Sequence, residues 1–154
     1  MSAQSAIKLL RKNKATLSVA ESITGGGIGS ELTSVAGSSE VFHGGVIAYS
    51  DEVKINELGV SKTLIKKLSA VSEEVAKEMA IGVRKKFKTD FSIATTGVAG
   101  PGRAYGQKAG TVWIAISSPN NTVAIQLALS GDRNSIRKAT IESAFALLSR
   151  ILRA

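Results

Sequence analysis

Hydrophobic positions along the chain switch between helical and alternating periods, and the switches mark out the elements. Residues 3 to 13 carry Ala6, Ile7, Leu9 and Leu10 among lysines, the spacing of a short amphipathic helix. Thr16 to Ala20 (TLSVA) is a compact β-favouring run and predicts a strand. It runs into Glu21-Ser22-Ile23-Thr24-Gly25-Gly26-Gly27, then a helix from about Ile28 to Val35 that Gly37-Ser38-Ser39 stops. Val46 to Tyr49 (VIAY) predicts a second strand, and Asp51 to Leu58 a helix ending at Gly59. Ser72 is a favourable N-cap, and Glu73 and Glu74 suit the dipole of the turn that follows. Val75, Met79, Val83 and Phe87 then recur four apart on one drifting helical face. Phe91 to Thr95 (FSIAT) predicts a third strand, leading into Gly97-Val98-Ala99-Gly100-Pro101-Gly102. Thr111 to Ser117 and Thr122 to Ser130 are β runs joined by Pro119-Asn120-Asn121, which is hairpin chemistry. A long helix follows Asp132, with Ile136, Ala139, Ile141, Ala144, Leu147, Leu148 and Ile151 facing inward.

Strands separated by helices imply a parallel sheet covered on both faces. The hairpin adds one strand in the opposite sense. The expected fold is therefore α/β, a three-layer α/β/α sandwich with a five-stranded mixed, mostly parallel sheet. A chain of 154 residues fits one such domain, spanning 1 to 154. Ligands in open α/β sheets bind beyond the carboxyl ends of the parallel strands. The two glycine-rich loops, after the first and third strands, fall at such ends.

Composition narrows the function. There is no cysteine, so disulfides, thiolate metal sites and a cysteine nucleophile are excluded. The apolar runs are well short of the ~20 residues a membrane helix needs. Met1 to Lys14 lacks the apolar core and cleavage site of a secretory signal, which points to the cytoplasm. The net charge of +8 favours an anionic partner. Its distribution argues against nucleic acid: Lys8, Arg11, Lys12 and Lys14, then Lys66 and Lys67, then Arg84, Lys85, Lys86 and Lys88 read as solvated helix faces. Aromatics, at 5%, are not interleaved with them. His43 is the only histidine and has no carboxylate or second histidine at ligand spacing, so no metal site is expected. Trp113 fits the core or a hairpin face better than a stacking platform.

The first glycine loop is the most informative segment. A strand, a polar pair and three glycines at a helix start present backbone N–H groups outward, and glycine lets a ligand approach closely. Such a loop holds a phosphate or a developing oxyanion, or is a tight turn capped by Ser22 or Thr24. It is not a Walker loop, because no Gly-Lys-Ser/Thr follows, and it lacks the full G-x-G-x-x-G pattern.

Ala20-Glu21-Ser22-Ile23-Thr24-Gly25-Gly26 resembles the A-E-S-x-T-G-G motif of the CinA C-terminal family, the nicotinamide-nucleotide amidases. In order along the chain, Ala36-Gly37-Ser38-Ser39, Val46 to Lys54, Leu58-Gly59-Val60, Ala70-Val71-Ser72-Glu73, Met79-Ala80, Thr96 to Pro101, Gly110-Thr111-Val112 and Gly131-Asp132-Arg133 are also similar to family segments. The resemblance spans roughly residues 16 to 148. It implies hydrolysis of nicotinamide mononucleotide to nicotinic acid mononucleotide and ammonia, by a Ser/Lys mechanism without metal or cofactor. It also implies a free-standing form of a domain elsewhere fused behind a larger one.

Carried over by the resemblance, Ser22 falls on the nucleophile, Lys54 on the general base and Tyr49 on an accompanying hydroxyl. Ser22 is a weak nucleophile until a neighbour takes its proton, and a lysine does so only when neutral, which requires burial or nearby positive charge. The expected substrate-binding set is Glu21, Thr24, Gly25, Gly26, Thr95, Thr96, Gly97 and Arg133. Amides around Thr24 to Gly26, or in the second loop, suit the oxyanion; the other loop suits the 5′-phosphate, with Thr95, Thr96, Gly97 and the Arg133 fork. Glu21 suits orientation of Lys54, ribose hydroxyls or a backbone cap. The partner expected is a small nucleotide, with no membrane, and self-association into a homo-oligomer stays open. The alternative is a non-catalytic nucleotide-binding module linked to competence or DNA damage.

The chain departs from the family at Ile23, often cysteine, and at Asp51, commonly asparagine. The larger departure is Gly100 to Gly110, which is more basic than the family's acidic, glycine-rich stretch ending in Lys-Pro-Val-Gly-Thr. A changed loop closing on substrate alters specificity.

Overall fold

The computed structural model describes residues 2–154. Five strands, β1 (Leu17–Glu21), β2 (Phe42–Ile47), β3 (Phe91–Gly97), β4 (Thr111–Ser117) and β5 (Thr122–Ala128), form one sheet in the order β2-β1-β3-β4-β5. β1 pairs in parallel with β2 and β3; β4 pairs antiparallel with both β3 and β5. Four strands therefore run one way and β4 alone runs against them, as the hairpin reading required.

Helices cover both faces. α1 (Ala3–Lys12), α2 (Gly27–Thr33) and α6 (Arg133–Arg153) close over Leu17, Val19, Ile93, Val112, Ile114 and Ile116. α3 (Asp51–Leu58), α4 (Lys62–Leu68) and α5 (Glu73–Phe87) close over Ala20, Ala94 and Ala115. Alternation along the strands explains the asymmetry: large aliphatic residues of β1, β3 and β4 face α1 and α6, while Ala20, Ala94 and Ala115 of the same strands face α5, with Trp113 the large exception. The small face lets α5 approach closely enough for Ser92 Oγ to donate to Ala80 O at 2.5 Å, and for Ser18 Oγ to meet Thr89 Oγ1 at 2.7 Å. α3 in turn lies hard against α5 at Gly82, where a Cβ would sit 1.9 Å from Leu58 O.

Three helix starts follow the local sequence. Ser50, Ser72 and Asp132 each accept a backbone N–H into the first turn of α3, α5 and α6. The expected basic clusters do lie on solvated faces, with Lys8, Lys12, Lys66, Lys67, Lys85 and Lys86 all exposed. The second strand is where the reading shifts. β2 begins four residues earlier than Val46 and ends at Ile47, so Ala48 and Tyr49 leave the sheet. Gly44-Gly45 looks like a break in sequence, yet Gly45 is required in the strand because a Cβ there would lie 2.2 Å from Val19 O. The inward face of α6 also includes Thr140, Phe145, Ser149 and Leu152, while Ala139, Ile141 and Ile151 are only half-buried.

The order in which strands are added reverses at β1. From β1 the chain passes through α2 to β2 on one flank, then through α3, α4 and α5 to β3 on the other. The loops leaving β1 and β3 thus part at adjacent strand ends and leave a crevice between them.

Candidate functional site

The loop leaving β1 puts Ser22 at the end of the strand, with Ser22 N–H donating to Thr95 O across to β3 at 3.0 Å. The chain then turns through Gly25 (φ +58°) and Gly26 (φ +103°), a left-handed pair that side-chain-bearing residues rarely adopt. Gly25 N–H donates to Ser22 O and Gly27 N–H to Thr24 O, closing the turn onto α2. Thr24 and Thr95, both fully buried, share a hydroxyl–hydroxyl hydrogen bond of 2.8 Å that locks the turn to β3.

Lys54 comes from α3, one turn inside its N-terminus, and points back under the β1 loop. Its Nζ lies 2.9 Å from Ser22 Oγ and donates to Ala48 O at 2.8 Å. Lys54 is 1% exposed and Ser22 is 7% exposed. No carboxylate among the described residues forms an ion pair with Lys54. A buried ammonium without an anion is costly, and burial lowers the Lys54 pKa below the ordinary lysine range, against a smaller upward pull from Asp51. With its proton lost, the amine keeps an N–H for Ala48 O and has a lone pair to offer the Ser22 hydroxyl 2.9 Å away.

The cleft above this pair has a volume of about 260 Å³ and is lined by Ser22, Tyr49, Gly97 to Gly102, Tyr105 and Arg133, among others. Tyr49 stands at its mouth, 60% exposed, and its hydroxyl accepts from Arg133 Nη2 at 3.0 Å; Arg133 Nη1 donates to Gly100 O at 2.6 Å. Tyr49 is therefore held by Arg133, while the two hydrogen bonds of Lys54 Nζ go elsewhere. A larger groove of about 410 Å³ lies between α1, α2 and α6, but it contains neither Ser22 nor Lys54.

The other expected residues divide. Gly97 and Arg133 line the cleft. Thr95 is committed to Thr24, and Thr96 Oγ1 donates to Ala70 O at 2.7 Å, so both buried hydroxyls brace β3. Glu21, 1% exposed, accepts from Ile28 N–H at 2.8 Å and Gly29 N–H at 3.0 Å. Its carboxylate is the cap of α2, and it takes the first-turn amides an external anion would need. That geometry leaves the amides of Ile23, Thr24 and Gly26 without an acceptor among the described residues. His43 is exposed on β2, and the described residues contain no cluster of metal-ligating side chains. Trp113 packs against the α5 side of the sheet. No described helix is long and apolar enough to cross a membrane.

Arg137 was not singled out from sequence. Its Nε donates to Ile23 O at 3.1 Å and its Nη2 to Thr24 O at 3.0 Å, so α6 clamps the turn that carries Ser22. A signal was present: Arg137 stands one helical turn after Arg133, on the same face of α6.

Comparison with known proteins follows the same lines. The CinA C-terminal domain family model matches residues 1–152. A CinA-like protein of Fervidobacterium nodosum is 49% identical over 144 residues, covering 93% of this chain and 35% of that protein. A CinA-like protein of Flavobacterium psychrophilum is 44% identical over 142 residues, covering 92% of this chain and 34% of its own length. The chain thus spans about a third of the length of the curated relatives it matches. Among solved structures, a competence-damaged protein (CinA) superfamily protein of Klebsiella pneumoniae superposes with a TM-score of 0.95 at 31% identity, covering 98% of this chain and 95% of that one. The competence/damage inducible protein CihA of Agrobacterium tumefaciens gives a TM-score of 0.88 at 32% identity, covering 97% of this chain and 96% of its own.

Proposed function

The chain belongs to the CinA C-terminal domain family, and from that premise we propose that it hydrolyses the amide of nicotinamide mononucleotide to nicotinic acid mononucleotide and ammonia. The observation that carries this reading is the buried, anion-free amine of Lys54, 2.9 Å from the Ser22 hydroxyl at the floor of an open cleft. A base whose pKa is lowered by burial, in contact with a hydroxyl at a strand end, is the arrangement acyl transfer needs.

The steps follow from these atoms. Ser22 Oγ attacks the amide carbon while its proton passes to Lys54 Nζ. The tetrahedral oxyanion forms beside the β1 turn, where the Ile23 amide, next after the nucleophile, is the donor best placed by sequence. The Lys54 ammonium returns its proton to the departing nitrogen, which leaves as ammonia. An ester on Ser22 remains. Water then attacks it, Lys54 takes the water proton, and the ester oxygen recovers a proton as the carboxylate product departs. Ala48 O holds Nζ in place throughout. Arg137 fixes the turn, so Ser22 and the oxyanion donors stay aligned between steps. The α2 amides are already capped by Glu21, which directs the 5′-phosphate to the second loop, where Arg133 adds charge.

Rapid quenching of wild-type protein with nicotinamide mononucleotide, followed by intact-mass and peptide-mass analysis, tests the covalent step. The expected result is an acyl adduct on the Ser22 peptide that is absent from Ser22→Ala. Tight nucleotide binding with neither adduct nor ammonia points instead to a nucleotide-binding module.

A further inference from the structure

The segment Ala104-Tyr105-Gly106-Gln107 is a closed two-residue hairpin: Ala104 N–H donates to Gln107 O at 3.1 Å and Gln107 N–H to Ala104 O at 2.9 Å. Both central residues have positive φ, +53° at Tyr105 and +72° at Gly106. This mirror-image turn favours Asn, Asp or Gly at its first central position, and a bulky tyrosine there is strained. The hairpin is fixed to the body rather than free. Gln107 Nε2 donates to Val71 O at 2.8 Å, and within the loop Arg103 Nη2 donates to Gly106 O at 3.0 Å. The tyrosine ring is not a core anchor for this turn, because Tyr105 is 54% exposed. The ring lines the cleft that holds Ser22. Tyr49, the other of the chain's two tyrosines, lines the same cleft and is also exposed. Both tyrosines of the protein thus line one small opening above the nucleophile, each more than half exposed.

Strain retained at a functional opening is a reason to look for what the side chain does there. We infer that Tyr105 is a specificity residue that stacks on the aromatic ring of the substrate and holds it over Ser22, with Tyr49 available to the same ring. Taken with the proposed substrate, on which this inference rests, the fit is chemical as well as steric. The ring of nicotinamide mononucleotide is a pyridinium, and a cationic ring gains from the electron-rich face of a phenol as well as from stacking. The ribose phosphate makes no such demand, so the contribution of Tyr105 is confined to the base.

The test uses full-length protein in a Ser22→Ala background, so that no ligand is consumed, with binding measured by calorimetry. Three versions are compared: Tyr105 intact, Tyr105→Phe and Tyr105→Asn, the last giving the turn a residue it prefers. Each is titrated with nicotinamide mononucleotide and with ribose 5-phosphate. Tyr105→Asn is expected to weaken the nucleotide about tenfold and leave ribose 5-phosphate unchanged, while Tyr105→Phe retains most of the affinity. The melting temperature of Tyr105→Asn is expected to hold or rise, which separates loss of a contact from loss of the loop. Equal affinity of Tyr105→Asn and its parent for the nucleotide, equal weakening of both ligands, or no nucleotide binding by the parent overturns the inference. Ammonia release by the protein with Ser22 intact is measured alongside. A Tyr105-dependent affinity without ammonia defeats the amidase reading alone, and ammonia release with a Tyr105-independent affinity defeats the stacking alone.

Discussion

Replacing Lys54 by methionine separates the catalytic part proposed for the amine from what its burial costs the fold. Methionine fills most of the same space with a flexible apolar chain. Two structural terms then oppose each other. The wild-type protein must either bury an ammonium with no anion beside it or lose a proton to avoid that, and Lys54→Met removes the penalty. Against this, Ala48 O loses its 2.8 Å donor, a loss of about 1–3 kcal/mol if nothing replaces it. The net offset at one pH therefore decides little; its slope with pH decides a great deal. Because the folded pKa lies below the unfolded value of about 10.4, the unfolded chain holds more protons between the two. Wild-type stability, measured against Lys54→Met, is then lowest below the folded pKa, rises with pH by up to about 1.4 kcal/mol per pH unit, and levels off above about pH 10.4. Urea unfolding of both proteins at a series of pH values gives the difference directly. In the same proteins kcat should fall by about 10²–10⁴, the usual contribution of a general base, and wild-type kcat/KM should rise with pH to a plateau set by Lys54. A stability difference that is flat from neutral pH to pH 10 would refute the depressed pKa, and with it the role of Lys54 as a neutral base.

Three further substitutions test other parts of the site. Ser22→Ala should keep the fold by circular dichroism and lose at least ~10³-fold in ammonia release, as removal of a nucleophile does when its partners act as a unit. Thr95→Val should cost about 1–3 kcal/mol by leaving the buried Thr24 hydroxyl unpaired, and pairing it with Thr24→Val should return most of that loss in chemical denaturation. Gly82→Ala forces a methyl against Leu58 O at the end of α3. It should cost about 1–3 kcal/mol and also lower kcat, because α3 carries Lys54; unchanged kcat in the folded variant would show that α3 packing does not set the Ser22–Lys54 distance.

The sequence carried the sheet architecture because its signals are local: alternating β runs, serine and aspartate caps, and the Pro119-Asn120-Asn121 turn each act within a few residues. Ser22 and Lys54 were legible through the motif each occupies. Their partners were not, since those lie far along the chain. Thr24 meets Thr95 across 71 positions and Arg137 meets Ile23 across 114, contacts that only the packed sheet and α6 create. Glu21 shows how a local signal stays ambiguous. An acidic residue at a strand end suits a ribose, a lysine or a helix start equally well, and the direction of its side chain towards α2 selects the cap. The start of β2 was hidden for a similar reason. A glycine pair reads as a turn until the neighbouring backbone of Val19 is seen to fill the space of a side chain.

Ammonia release from nicotinamide mononucleotide, with nicotinamide and glutamine as control amides, tests the amidase chemistry most directly. Wild-type protein should release one ammonia per nicotinic acid mononucleotide formed and act poorly on both controls, and Ser22→Ala and Lys54→Met should each lower turnover by the fold-losses given above. Full activity in both variants, or no release from the nucleotide by wild-type protein, would contradict it.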